Sequence, residues 1–367
     1  MKTKEIIIKF IKKEIVLTIA IILTIITCFI VVPDKEYLSY FDYSTLISLF
    51  CMLIVVSGLK NTNIFEFISN KLINLFHTRR GAIYALVFGT FFFDMIVAND
   101  MSLITFLPLT YIVLHSTKND KYLAFTFIMQ TIAANMGGMI TPYGNPQNLY
   151  LYSYYKIETV EFFRILLFQS AAVALLLWIC GSFVPNEPLK IYNKDNISLN
   201  RPRLYIYTVL FILVILSIFR VIPYVITLLI IVTIVIIIDR ERFKDVDYAL
   251  IATFCVFFIF SGNIARIPIV KEMISKIVVK NTLLAGIISC QFISNVPTAI
   301  FLSKFTNNYR DLLISVNIGS LGILISSLAS LITLKEFLKH QPNNILKYII
   351  MFTFFNTMFL LILLIIT

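Results

Sequence analysis

Charge is what this sequence has least of. Only 14% of its 367 residues are Asp, Glu, Lys or Arg, where a soluble domain carries about 25%. A water-facing surface cannot be built from so few charges. That excludes a soluble enzyme, a nucleic-acid binder and a disordered chain. Histidine is scarce too: His77, His115 and His340 are far apart, at the ends of apolar runs. A zinc or haem site is not expected, nor any transition metal. The five cysteines, Cys28, Cys51, Cys180, Cys255 and Cys290, lie inside apolar runs with no CxxC pair. They read as small buried hydrophobes. No small-residue cleavage site follows the first apolar run, so it reads as a retained anchor.

What is abundant is hydrophobic residues, at 59%, with a mean hydropathy of +0.89. A bilayer span needs about 20 mostly apolar residues. Apolar runs at 14–32, 44–59, 122–157, 161–184, 204–219, 221–238, 249–263, 309–334 and 345–366 predict an all-α polytopic membrane protein with about nine spanning helices. Two further stretches, 81–116 and 281–307, are interrupted at their centres by Asn99 and Asp100, and by Ser294, Asn295 and Pro297. Each is either one kinked span or a re-entrant hairpin whose tip stops at mid-membrane. With both as hairpins and the amino terminus inside, 21 of the 31 Lys and Arg fall in inside loops. The net charge of +11 then reflects the positive-inside rule, not a nucleic-acid partner. This predicts a multi-pass inner (plasma) membrane protein with a cytoplasmic amino terminus. Stretches 62–79 and 264–279 read as amphipathic connectors, and Tyr150, Tyr152, Tyr154 and Tyr155 as an interfacial aromatic belt.

The halves resemble each other. "FCMLIVVSG" at 50–58 matches "FCVFFIFSG" at 254–262, Asn99 matches Asn295, and "NMGG" at 135–138 matches "NIGS" at 317–320. Five crossings, an odd number, separate the copies, so the second is inverted. Residues 1–184 form a first repeat, with hairpin 81–116 and span 122–157. A polar linker covers 185–203. Residues 204–367 form a second repeat, with hairpin 281–307 and span 309–334. Inverted repeats with interrupted helices meeting at the midplane characterise secondary transporters, because mirrored halves can expose one central site to either side in turn.

The residues able to carry chemistry sit at the interruptions. Asp94 and Asp100 are the carboxylates placed deep in an apolar stretch. A charge there costs roughly 2.5–3.5 kcal/mol on insertion scales, so its retention needs a reason. Asp100, at a tip beside Asn99, suits a cation ligand or proton carrier. Asp94, on the arm, suits a structural contact. Span 122–157 contains "GGMITPYGNP" (137–146), which holds five of the chain's 22 glycines and prolines and cannot continue an α-helix. Unwound backbone at membrane depth lines a cavity or is buried in protein. Its carbonyls suit Na+, and the half-helix starting near Pro146 suits an anion. Asn145, Gln147 and Asn148 add neutral ligands. In the second half, Ser294, Asn295 and Thr298 are uncharged hydrogen-bonders, with Pro297 opening the second arm. Asn317 and Gly319 border the site by their match to 135–138, and Lys304 snorkels to the outer face.

These residues resemble the ion-transporter superfamily, which includes divalent-anion/sodium symporters, citrate permeases, arsenite permeases and a sodium/proton antiporter branch. The likeness rests on "AND" at 98–100, "SNVPTA" at 294–299 and "TPYGNPQN" at 141–148, and extends from about residue 36 to 340. It implies substrate contacts at Asn99, Asn145, Asn148, Ser294, Asn295 and Thr298. It implies one cation site at Asn99 and the 137–145 backbone and a second at Ser294, Asn295, Thr298 and the 317–322 region. With the acid read from the sequence itself, the expected cation contacts are Asn99, Asp100, Asn135, Gly137, Gly138, Thr141, Gly144, Asn317 and Gly319. The first tip carries an acid where divalent-anion members carry Thr, which is more like the arsenite-permease and antiporter side. The expectation is a transporter for a small anion or oxyanion, with Na+ or H+ as coupling ion, no cofactor, the lipid bilayer as its setting and a homodimer as its assembly. Cation/proton antiport without an anion is the alternative. An intramembrane enzyme or a channel would belong to a different class.

Overall fold

The computed structural model describes residues 14–73, 77–97, 99–189 and 198–367. The basic segment 2–13, tip residue Ala98 and most of the polar linker (190–197) lie outside the described residues. Among the described residues the regular structure is helical, with no named strand, as the apolar runs predict. In order the helices are α1 (Ile15–Ile30), α2 (Tyr43–Lys60), α3 (Ile64–Ile73), α4 (Arg79–Asp94), α5 (Asn99–Ser116), α6 (Leu123–Gly137), α7 (Pro146–Tyr154), α8 (Thr159–Ser182) and α9 (Arg201–Ile218). They continue with α10 (Tyr224–Ile238), α11 (Tyr248–Ala265), α12 (Pro268–Lys280), α13 (Thr282–Ile293), α14 (Asn295–Leu302), α15 (Tyr309–Ile318), α16 (Leu328–His340) and α17 (Ile345–Ile366).

Among the described residues six helices are long and apolar enough to cross a bilayer, by length and composition. Two shorter apolar helices, Leu17–Ile30 and Tyr224–Ile238, and the broken pair α15–α16 run between the same two ends of the molecule. The loops define those ends. Asn200 N donates to Thr62 O, Ser57 to Asp245, Arg79 N to Glu187 O and Gln341 to Asp120 O, which gathers one set of loops at a first end. Arg266 pairs with Asp34, Arg220 reaches Ile157 O, Tyr155 reaches Thr306 O and Tyr309 reaches Glu161, which gathers the others at a second end.

This sorting decides between a kinked span and a hairpin. Arg79 at the start of α4 donates to Tyr122 OH just past α5, at 3.3 Å, so α4 and α5 return to the first end. Thr282 at the start of α13 lies 3.4 Å from Thr306 just past α14, so those two return to the second end. Both interrupted stretches are therefore re-entrant, entering from opposite ends. The amphipathic α12 meets α13 at 115°. It exposes Ile269, Met273 and Ile277 beside Lys271 and Lys276, as expected of a helix lying in the interface.

Burial ranks the helices. In the stretch Asp120–Ile140, 83% of the most apolar window is buried, against 28% for Pro342–Ile366. So α6 is the central element and α17 faces lipid. One sequence expectation fails here. Tyr150 and Tyr152 are 0% and 2% exposed, so they belong to the core and not to an interfacial belt. The break before α7 turns that short helix inward. Tyr150 bonds Ser303 at 2.7 Å, and Tyr152 bonds Thr159 at 2.7 Å.

Candidate functional site

Each hairpin carries one polar residue that completes the broken span beside it. At the end of α4, Asp94 is fully buried. Its Oδ1 accepts from Ser102 Oγ at 3.0 Å and its Oδ2 from Gly138 N at 2.7 Å. Gly138 lies where α6 gives way to a short 3-10 turn, Gly138–Ile140. A Cβ there would displace Asp94 Oδ2 and Asn145 Oδ1, the groups that meet this turn. In the second hairpin, Gln291 does the corresponding work. Its Nε2 donates to Gly319 O at 2.9 Å and Leu321 O at 3.0 Å, and its Oε1 accepts from Ile323 N at 3.1 Å. Unpaired backbone groups at this depth are expensive, so these two side chains are what permit the helices to be broken.

The first break runs from Gly138 to Asn145, where α7 starts at Pro146 with Asn145 as its N-cap residue. Asn148 Nδ2 gathers the carbonyls of Gly138, Met139 and Thr141 at 3.0–3.4 Å, and Asn145 Nδ2 donates to Asn135 O at 3.1 Å. The second break runs from Gly319 to Ser327. Amides join the two breaks. Asn317 Nδ2 donates to Asn148 Oδ1 at 2.7 Å, Gln147 Nε2 to Asn317 Oδ1 at 3.3 Å, and Ser327 Oγ to Asn135 Oδ1 at 2.6 Å.

The hairpin tips meet on a cavity of about 90 Å³ lined by Asn99, Asp100, Gln147, Ser294, Asn295 and Pro297, together with Glu14 and Asp247 from the first end. An adjoining cavity of about 200 Å³ shares Asn99, Asp100, Pro146 and Asp247 and adds Tyr143 and Asp245. Ser294 links α13 to α14 at φ +71°, ψ 163°, a conformation close to glycine-only. This turn frees its Oγ to bond Asn295 Oδ1 at 3.2 Å. Pro297 is the third residue of α14, not its first, because the helix opens at Asn295. Asp100 Oδ1 and Gln147 Oε1 are buried without a hydrogen-bond partner. Among the described residues the charged lining is carboxylate, Glu14, Asp100, Asp245 and Asp247, with Asp245 paired to Arg242 behind it. These carboxylates do not converge, since among the described residues no three His, Cys, Asp or Glu form a group able to hold a metal ion.

Of the residues singled out in the sequence, Asn99, Asp100, Gln147, Ser294, Asn295 and Pro297 reach the cavity. Asn145, Asn148 and Thr298 stand behind its wall, with Thr298 Oγ1 bonded to Ser294 O at 2.7 Å. Asn135, Gly137, Gly138, Thr141, Gly144, Asn317 and Gly319 cluster around the two breaks. Asp245 and Asp247 were not foreseen. They belong to a polar loop between α10 and α11, and nothing in its sequence marks it as adjacent to a hairpin tip. Gln291 was not foreseen either; it is a lone amide in an apolar arm, and its part as a latch shows only in its contacts with Gly319, Leu321 and Ile323.

The profile described as "Citrate transporter" matches residues 6–309 of the chain. An uncharacterized transporter of Methanocaldococcus jannaschii is 32% identical, over 83% of this chain and 84% of that protein. Inner membrane protein YbiR of Escherichia coli is 24% identical over 84% and 83%. A putative transporter, arsB, of Dictyostelium discoideum is 25% identical over 48% of this chain and 30% of its own length.

Proposed function

The chain belongs to the citrate transporter family, and from that premise we propose that it is a secondary active transporter of a small carboxylate or oxyanion, coupled to Na+ or H+ and working by alternating access. That it is a membrane transporter, and not an enzyme, follows from the family and the named relatives. The observation that carries the finer reading is the pair of hairpin tips. They enter from opposite ends and end on one cavity between two unwound breaks. Asn99, Ser294 and Asn295 offer amide and hydroxyl donors to the solute. Asp100, with the carbonyls and hydroxyls around Gly137, Gly138, Thr141 and Gly144, offers oxygens to the coupling cation. Asn135, Asn317 and Gly319 hold the two breaks in register. Residues 1–184 and 204–367 then act as inverted halves about this cavity, which supports rocking.

The carboxylate lining sets an order. The acidic groups among the described lining residues favour a cation over an anion in the empty cavity, which supports the coupling ion loading first. The same lining supports a second reading, cation/proton antiport with no anion carried. We place the first end in the cytoplasm by the distribution of Lys and Arg. The inner membrane as location draws support from the relative named for it. A homodimer is the proposed assembly.

Reconstitution in liposomes tests this. With an imposed Na+ or proton gradient, uphill uptake of citrate, sulfate or arsenite is expected. Gradient-driven proton flux with no added anion, and no anion uptake, would replace the first reading by the second. Uptake that no ion gradient can drive uphill would remove both.

A further inference from the structure

Among the described residues no Lys or Arg lines the inner cavities, whereas a separate pocket gathers several. At the second end a pocket of about 540 Å³ is lined by Tyr40, Asp42, Ser153, Tyr154, Lys156, Arg220, Tyr224 and Lys304. It shares no lining residue with the cavities at the hairpin tips. Three of its charged groups are cationic and one is a carboxylate. Asp42 is already engaged, accepting from Thr45 N at 3.0 Å and Ser153 Oγ at 3.2 Å. Arg220 is fixed by Ile157 O and Tyr152 O and lies over the Tyr152 ring at 4.3 Å. Lys304 Nζ sits 4.6 Å from the centre of the Tyr154 ring. Neither Lys156 nor Lys304 forms an ion pair with a carboxylate among the described residues.

The pocket is also in line with the tips. Lys304 follows α14, whose first residue is tip residue Asn295, and eight residues of helix span about 12 Å. Ser153 and Tyr154 end α7, whose first residues border the inner cavities. Between the two regions stands Tyr150, fully buried. Its hydroxyl bonds Ser303, and its ring lies against Tyr154 and Phe258 at 5.3 and 5.5 Å.

Resting on the transporter reading above, we propose that this basic pocket is the docking site for the anion on the outer face, where Lys156, Lys304 and Arg220 collect a multi-oxygen anion before the Tyr150–Ser303 contact opens. A concave site of one sign focuses field lines and raises the local concentration of a counter-charged solute. Arg and Lys side chains around it favour carboxylate or oxyanion groups.

The test reads the local charge directly. In a Tyr224→Cys variant, an anionic and a cationic impermeant thiol reagent are applied from the outer face, with the parent protein as background. The anionic reagent is expected to react at least about fivefold faster than the cationic one. Citrate or sulfate is expected to slow it, and the preference is expected to vanish with Lys156→Gln and Lys304→Gln added. The exposed Lys156→Gln alone, which leaves the packing around Lys304 intact, is expected to remove part of it. In vesicles of both orientations, Lys156→Gln is expected to raise the external KM for the anion and leave the internal KM unchanged. Equal reagent rates, or a preference that survives both substitutions, would overturn the proposal. If citrate and sulfate protect the thiol but no anion is transported, the docking site stands and the anion-transport reading falls.

Discussion

The two hairpins solve one problem with different chemistry. Each must supply hydrogen bonds to a span broken beside it, and each does so with one side chain on its first arm. In the first hairpin that side chain is Asp94, which accepts from Gly138 N and Ser102 Oγ and offers no donor as a carboxylate. In the second it is Gln291, which donates to two carbonyls and accepts from one amide. The tips differ in the same sense: Asn99-Asp100 carries an ionisable carboxyl group, and Ser294-Asn295 carries none. A neutral amide meets both donors and acceptors of its break, with Ser326 Oγ taking the carbonyls of Ser320 and Ile323. The first break is met by an acid instead, and beside Asp94 the buried Asn145 Oδ1 has no hydrogen-bond donor. The difference is a titratable acid beside the first break and a neutral amide beside the second, and the variants below test whether the response to the coupling cation follows it.

Making the hairpins alike is the most direct way to break the comparison. Asp94→Asn gives the first break a neutral partner of nearly the same shape. Coupled transport in liposomes is expected to fall by about 100-fold, equivalent to roughly 2.7 kcal/mol in the barrier, while the protein still inserts and elutes as a single species. Coupled flux within twofold of the parent would show that shape and not charge is what position 94 supplies. Asp100→Asn removes the charge at the tip. Transport is expected to lose its dependence on the Na+ or pH gradient and to slow by about tenfold, measured as uptake with and without the imposed gradient. Retained coupling would remove Asp100 from the cation path.

Gln291→Leu sharpens the comparison from the other side. It strands Gly319 O, Leu321 O and Ile323 N, and an unsatisfied buried group costs about 1–3 kcal/mol. A loss of roughly 2–4 kcal/mol is expected, read as a lower melting temperature in detergent, with ion dependence unchanged in the protein that remains folded. Ser294→Gly is the mildest test. The backbone at φ +71° costs a non-glycine residue about 1–3 kcal/mol. Glycine is expected to raise stability by up to about 1 kcal/mol and to weaken substrate binding modestly, because the hydroxyl beside Asn295 is lost. A destabilised Ser294→Gly would show that the Ser294 Oγ contacts outweigh the strain.

Much of this was legible in the chain itself. The hairpins, the break after Gly138 and the half-helix at Pro146 were each announced by a polar or helix-breaking residue inside an apolar run, because a bilayer tolerates such residues only where they are buried or line a cavity. The tip residues Asn99, Asp100, Ser294 and Asn295 were legible for the same reason. Tyr150 and Tyr152 were misread because aromatic composition is the same at an interface and in a core. Only the direction of α7, set by the break before it, separates the two. Gln291 as the latch of the second break, and Asp245 and Asp247 as cavity walls, depend on contacts across long separations in sequence, which no local pattern records.

By itself, then, the sequence determined the solvent in which this protein folds, the number and polarity of its interruptions, and the residue types available there. Those follow from composition and periodicity, since hydrophobic burial and backbone satisfaction act locally along the chain. The tertiary structure alone decided which residues share a cavity and which stand behind it. It also separated the charges, with carboxylates around the hairpin tips and Lys156, Arg220 and Lys304 around the outer pocket. The net charge of +11 conceals that separation. Electrostatic interaction depends on distance in space, and the fold, not the order of residues, sets that distance.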